Sequence, residues 1–360
     1  MRISLRHFLL VLACVLAVAG VSAASASGWG GYTFTPVAFP GHQAATWPWN
    51  VNTAGAVIGE YWAGQAYASE SFGFVERFGH YWTISEPNRV SGDGMNAMEL
   101  TASGDVIGGY YVPDANSVNN GQTGYIYIDR KGHFTNLSDP SADPDTGTWL
   151  LGANFWGEIV GGYVGRTDGS WHGFIYKHGA WTTVDACGSG EGTELINVSD
   201  GGLISGQCWS SEGFGPPVSN FLYTPQGQLI TFPDLTAQQA PGILPNAPSE
   251  WGDSTVLWGL NDLGLRAGSY VATPTTSTCN TNESGATYYG YVEHNGRVTP
   301  IIVPSTKIHL PAISDPNTCA VLMGGANDVG QAVGKYDANT QREPQNEPPD
   351  SYGFLMTPNF

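Results

Sequence analysis

The chain has 360 residues, with 31 acidic against 13 basic side chains and a net charge of −18. That balance lacks the basic footprint that nucleic acid or an anionic membrane surface requires. Charged residues are only 12% of the chain, aromatics another 12%, and there are 49 glycines. Such a composition suits short strands and tight turns rather than helices, and carries too much apolar material for disorder.

Taken from the start, Arg2 and Arg6 precede an apolar run from Phe8 to Val21, and Ala24-Ser25-Ala26 follows as a small-residue cleavage motif. Residues 1–26 therefore read as a signal peptide, too short for a comfortable bilayer span, and no later segment approaches one. The protein is expected to be secreted or periplasmic, with residues 27–360 forming a single domain. Val11-Leu12-Ala13-Cys14 leaves a lipoprotein cleavage box as the alternative. Removal of the signal leaves 11 basic residues and four cysteines. In an exported chain these suggest two disulfides, Cys187–Cys208 and Cys279–Cys319, each within one repeat neighbourhood; four buried thiols are the alternative.

The mature chain opens on an orphan segment, Gly30-Gly31-Tyr32-Thr33-Phe34-Thr35, and then repeats one unit six times. The unit is Gly, three residues, Gly, one residue, then usually Tyr. It begins at Gly55, Gly104, Gly157, Gly202, Gly264 and Gly330. Three residues earlier stands Asn52, Thr101, Asn154, Ser199, Asn261 or Asn327, a turn-forming residue between two apolar runs. A second hairpin opens on a Gly-aromatic pair such as Gly73-Phe74, and Asn220-Phe221 is the one departure. It turns at a further glycine and ends in an aromatic-Thr strand such as Trp181-Thr182.

Four short strands per repeat predict an all-β, six-bladed β-propeller of four-stranded blades. The sixth copy stops at Phe360 without its fourth strand, while the orphan segment matches the fourth strand Gly179-Ala180-Trp181-Thr182-Thr183. The N-terminal strand is thus expected to close the ring, which removes the exposed edges a linear array would keep. A monomer is expected.

Leu260-Asn261-Asp262-Leu263-Gly264, Ala326-Asn327-Asp328-Val329-Gly330, Ile159-Val160-Gly161-Gly162-Tyr163 and His172-Gly173-Phe174-Ile175-Tyr176 carry a family likeness. On these segments the chain resembles the HAF-type extracellular repeat proteins of bacteria. The resemblance implies an exported propeller-like fold, no established activity and no functional residue. The sequence departs from that pattern in keeping the histidine of the third strand only once, at His172.

Candidate sites come from the strands expected around the channel. One face of the first strands carries Asn50, Glu99, Gly152, Asn197, Gly259 and Gly325. Glu99 is its one acid and the candidate catalytic residue, although glycoside hydrolysis needs two facing carboxylates. Trp49 and Trp258, with Asn50 and Asn197, are the candidate ligand-binding set, stacking on sugar rings and bonding to hydroxyls. Packing between blades is the competing role for both indoles. Asp139, Asp143 and Asp145 form a carboxylate-rich loop that could hold Ca²⁺ without EF-hand spacing; otherwise no cofactor is expected. The histidines show no metal-ligand spacing. The expected function is a binding or structural module for an extracellular or envelope ligand, a glycan or a protein. The alternative is a hydrolase or lyase acting on a polysaccharide from the central pocket.

Overall fold

The computed structural model describes residues 31–43, 45–63, 70–85, 94–101, 104–111, 122–128, 132–209, 217–232, 235, 255–272, 287–301, 319–337 and 351–359. The expected signal segment, Cys14, Cys279 and the side chain of Cys319 lie outside the described residues. So does the Cys279–Cys319 pairing. No helix among the described residues is long and apolar enough to cross a membrane.

Strand β1 is Tyr32–Val37. Strands β2 to β5 are Thr46–Val51, Val57–Ala63, Glu70–Arg77 and His80–Ile84. Strands β6 to β9 are Met95–Leu100, Val106–Tyr111, Gln122–Ile128 and Phe134–Asn136. Strands β10 to β13 are Thr148–Ala153, Ile159–Val164, Trp171–Lys177 and Ala180–Val184. Strands β14 to β17 are Gly192–Val198, Ile204–Trp209, Pro217–Tyr223 and Leu229–Phe232. Strands β18 to β21 are Thr255–Leu260, Leu265–Ala272, Thr287–His294 and Arg297–Ile301. Strands β22 to β24 are Cys319–Ala326, Ala332–Asp337 and Ser351–Pro358.

These strands make six four-stranded antiparallel sheets, five of them sequential and the sixth ordered β1-β24-β23-β22. Each sheet packs on the next: β3 on β6, β8 on β10, β12 on β14, β15 on β18, β20 on β22, and β24 on β2. The last contact closes the ring, giving a β-propeller arrangement. Apolar clusters fill the seams between sheets; Val160 with Leu195, Ile204 and Phe221 is one, and Ile58 with Met95, Ala97 and Val106 another. Burial on both faces is what holds blades this short, since a single sheet cannot shield its own apolar side.

The two glycines of the repeat serve different ends. The first sits in the left-handed region, with φ between 76° and 89° in all six hairpins, where a side chain is disfavoured. The second lies under the first strand: a Cβ at Gly59, Gly161 or Gly268 would overlap the carbonyl oxygen of Trp47, Trp149 or Val256. A β-bulge in the first strand sits beside that approach, as between Pro48 and Asn50 or between Leu257 and Gly259. The start of the first strand has its own device. Thr46, Thr148, Thr193 and Thr255 are all buried, and each hydroxyl accepts an N–H from the segment arriving from the previous blade.

Cys187 and Cys208 are joined, tying the segment after β13 to β15. The bridge closes a loop of 21 residues in sequence separation, for which loop-closure entropy gives about 3 kcal/mol. Reductant should therefore lower the denaturant midpoint of the wild type by more than it lowers that of a Cys187→Ser/Cys208→Ser variant. Equal midpoints with and without reductant in the wild type would show that the bridge adds nothing.

Candidate functional site

The six hairpins between first and second strands meet at one end of the channel, and they are built alike. The turn residue donates its N–H to the carbonyl four residues on, as from Asn52 to Ala56 at 3.0 Å. Its side-chain oxygen accepts the N–H of that same later residue, at 3.0 Å for Asn52 and 2.9 Å for both Asn261 and Asn327. Thr101 and Ser199 do this with a hydroxyl. The choice of Asn, Ser or Thr thus follows from local backbone pairing.

Asparagine has an amide left over, and it reaches the neighbouring blade. Asn154 Nδ2 donates to the Ser199 carbonyl at 3.2 Å, Asn261 to that of Asn327 at 2.6 Å, and Asn327 to that of Asn52 at 2.9 Å. Aspartates after the turn residue add a second tie. Asp200 accepts from the Phe155 N–H at 2.6 Å, Asp262 from Gly201 at 2.7 Å, and Asp328 from Asp262 at 2.9 Å. The turns are thereby joined blade to blade across most of the ring.

One consequence is electrostatic. Asp200, Asp262 and Asp328 bring carboxylate oxygens within 4.8 Å of one another. Burial raises the pKa of Asp328; the Asp262 N–H opposes this, and the Asp262 and Asp200 carboxylates raise it further. Hard cations take such oxygens as ligands. Here each carboxylate already accepts an N–H from the adjoining turn, which accounts for the convergence without an ion.

The turns surround a cavity of about 450 Å³. Asn52, Asn154, Ser199, Asp200, Asn261 and Asp328 line it, with Asn50, Glu99 and Asn197 reaching it from the strands. Glu99 is buried; its carboxylate accepts from Asn50 Nδ2 and, at 2.9 Å, from the Leu100 N–H. Burial pushes its pKa up to about 8, with the Leu100 N–H opposing and Asp200 adding to the rise. Burial thus favours the protonated form of Glu99 in a cavity that Asp200 and Asp328 also line.

Next to the cavity the β10–β11 turn is unlike the other five. It carries Phe155 and Trp156, 53% and 65% exposed, with ring centroids 4.9 Å apart in an edge-to-face pair. Trp156 Nε1 donates to the Asp200 carbonyl at 3.0 Å, holding the indole against the next turn. Phe155 also lines the cavity. Large aromatics held rigidly in solvent bury nothing of their own, so they point to a contact with something else.

The sequence-derived candidates divide. Asn50, Asn197 and Glu99 reach the cavity, whereas Trp49 and Trp258 do not line it. Trp49 instead lies edge-to-face with Trp47, 6.4 Å between centroids, and the Lys335 ammonium sits 3.3 Å from the Trp47 ring centroid. The face expected to line the channel reaches the cavity at Asn50, Glu99 and Asn197, and its residues also press on one another between blades. Asn50 meets Glu99, and a Cβ on Gly152 would come within 2.7 Å of the Asn197 Cα. The bulge turns these residues sideways, which strict alternation along a strand does not anticipate.

In the loop offered for Ca²⁺, Asp139 accepts the Ser141 N–H at 2.7 Å and Asp143 accepts the Asp145 N–H at 2.8 Å. These are local turn contacts. Among the described residues the one close group of three or more acidic, His or Cys side chains is the Asp200, Asp262 and Asp328 set. His172 bonds Asp185 through Nδ1 at 2.7 Å and Asp168 through Nε2 at 3.1 Å, and stacks on Tyr163. Burial lowers its pKa, but the Asp185 and Asp168 carboxylates outweigh that and raise it.

Phe155, Trp156 and the aspartate cluster were missed by reasoning from the strands. Their signal was readable in the turns: Asn154-Phe155-Trp156-Gly157 places aromatics where other copies have Thr, Ala, Ser, Asp or Gly, with single aliphatics at Leu263 and Val329.

No family model matches the chain, and no curated protein matches it. Similar solved structures include virginiamycin B lyase from Staphylococcus aureus, at 12% identity and a TM-score of 0.41 over 90% of this chain and 99% of that one. A protein of unknown function from Dyadobacter fermentans is 9% identical, with a TM-score of 0.49 over 92% and 100%. Aleuria aurantia lectin is 10% identical, with a TM-score of 0.40 over 84% and 90%. At these scores no property of theirs is carried to this chain.

Proposed function

We propose that this protein is an exported binding propeller whose ligand, a glycan, sits at the mouth formed by the six first hairpins. The observation that carries the reading is the exposed Phe155–Trp156 pair beside a polar cavity. Flat apolar faces next to a cluster of carboxylate, amide and hydroxyl groups match a sugar, which offers C–H faces and many hydroxyl donors. Trp156→Ala should weaken glycan binding about tenfold, the scale of one lost aromatic contact. Its unfolding temperature should stay within a degree or two, because the indole is mostly in solvent. Titration of immobilised glycans with both proteins checks this; equal affinities would remove Trp156 from the site.

A polysaccharide hydrolase or lyase is the second reading, favoured by one observation: Glu99, its pKa raised by burial, shares a cavity with the carboxylates of Asp200 and Asp328. It ranks second because both Glu99 oxygens are engaged by Asn50 and Leu100. Product analysis on pooled polysaccharides, run on wild type and Glu99→Gln, separates the two. Turnover lost in the variant would establish the enzyme.

A further inference from the structure

We infer that the mouth is one end of a longer binding track, and that the ligand is an extended oligosaccharide rather than a single sugar. This rests on the glycan reading above. A second cavity of about 560 Å³ lies on the same end of the propeller, at the seam where the first and last blades meet. It shares Thr53 and Ala54 with the first, so the two adjoin at the β2–β3 turn. Val37, Tyr81, Val329 and Leu355 give it apolar walls, while Glu76, Gln331 and Thr357 supply polar groups.

Phe78 stands on the rim of this second cavity and is 81% exposed. It occupies the first central position of the β4–β5 turn with φ of 55°, and Gly79 follows with φ of 80°. The matching positions of two other blades hold His178 (φ 52°) and Asn295 (φ 53°). A turn with two positive φ values is the kind that Asn-Gly fills best, and a bulky aromatic there costs stability. Phe78 therefore bears a conformational cost and gains almost no burial in return. The Arg77 guanidinium lies 5.3 Å from its ring centroid, a contact that orients the ring without covering it.

Aromatic platforms thus flank the adjoining cavities, Phe155 and Trp156 by the mouth and Phe78 at the seam, with polar groups between them. A chain of sugars presents alternating C–H faces and hydroxyls along its length, and fits that sequence of surfaces.

Phe78→Asn tests the inference, because Asn suits the turn and the variant should unfold at the same or a higher temperature. The probe is an array of neutral, acidic and amino-sugar oligosaccharides in series of one to eight units, with a set of basic and neutral peptides beside it. For the series that binds, wild-type affinity should rise with length. Phe78→Asn should lose about tenfold for the longest members and nothing for the shortest. Binding that is independent of length, or unchanged in Phe78→Asn, overturns the track and leaves the mouth reading intact. Failure of every saccharide to bind the folded protein overturns both readings, and capture of peptides alone overturns the choice of ligand class.

Discussion

Removal of residues 27–41 should lower the unfolding midpoint far more than removal of an equal length of surface loop. Strand β1 pairs with β24 over six residues, from Tyr32 against Pro358 to Val37 against Gly353. Phe34 and Val37 are buried, and Phe34 meets Phe354 edge-to-face at 5.6 Å. Beyond the strand, the Ala38 N–H donates to the Tyr81 hydroxyl at 2.9 Å, linking the last blade to the first. Loss of one buried Phe typically costs about 3–5 kcal/mol, and the deletion also strips β24 of its pairing partner. Against a total stability of about 5–15 kcal/mol for a domain, that is enough to unfold much of the population. Phe34→Ala is the graded version, with an expected loss of about 3 kcal/mol. A truncated protein that melts with the wild type would show that the ring does not depend on its N-terminal strand.

That strand was legible because fourth strands share an aromatic and a threonine in register, so Tyr32-Thr33 could be matched to Trp181-Thr182 without coordinates. The glycine framework was equally readable, since positive φ and close backbone approach leave glycine little alternative. The site was not. Asp200, Asp262 and Asp328 stand 62 and 66 residues apart in sequence and converge only because consecutive blades place the same turn position side by side. Read one repeat at a time, each looks like an ordinary Asx turn. Trp49 and Trp258 do not line the cavity for a related reason: alternation along a strand assigns faces correctly only while the register holds, and every first strand carries a bulge.

The protein should be most stable in mild acid and lose stability as the pH rises from about 5 to about 8, and Glu99→Gln should remove the largest share of that slope. Three buried glutamates carry raised pKa values, all chiefly through burial: Glu99 to about 8, and Glu60 and Glu194 to about 7. For Glu60 the charge of Lys335 opposes the rise, and for Glu194 the Trp209 indole N–H does so, donating at 3.1 Å. In the unfolded chain these groups ionise near pH 4.5, so between there and the folded values the native state binds more protons. Stability therefore falls with each unit of pH, by up to about 1.4 kcal/mol per group. For Glu99 the window runs from about 4.5 to about 8, and the accumulated loss is on the order of 4 kcal/mol. His172 acts in the same direction, because its raised pKa favours the folded imidazolium and that contribution disappears as pH climbs through it. Glutamine at position 99 has no proton to lose, and its single oxygen can serve only one of the two donors, Asn50 Nδ2 and the Leu100 N–H, which bind different oxygens of the glutamate. The variant should be the less stable of the two near pH 5, where it has lost one acceptor, and the gap should narrow as the pH rises to 8. Denaturant melts at pH 5, 6.5 and 8 decide this. Parallel pH profiles for the two proteins would mean that Glu99 is ionised in the folded state, which would also withdraw the acid from the second functional reading.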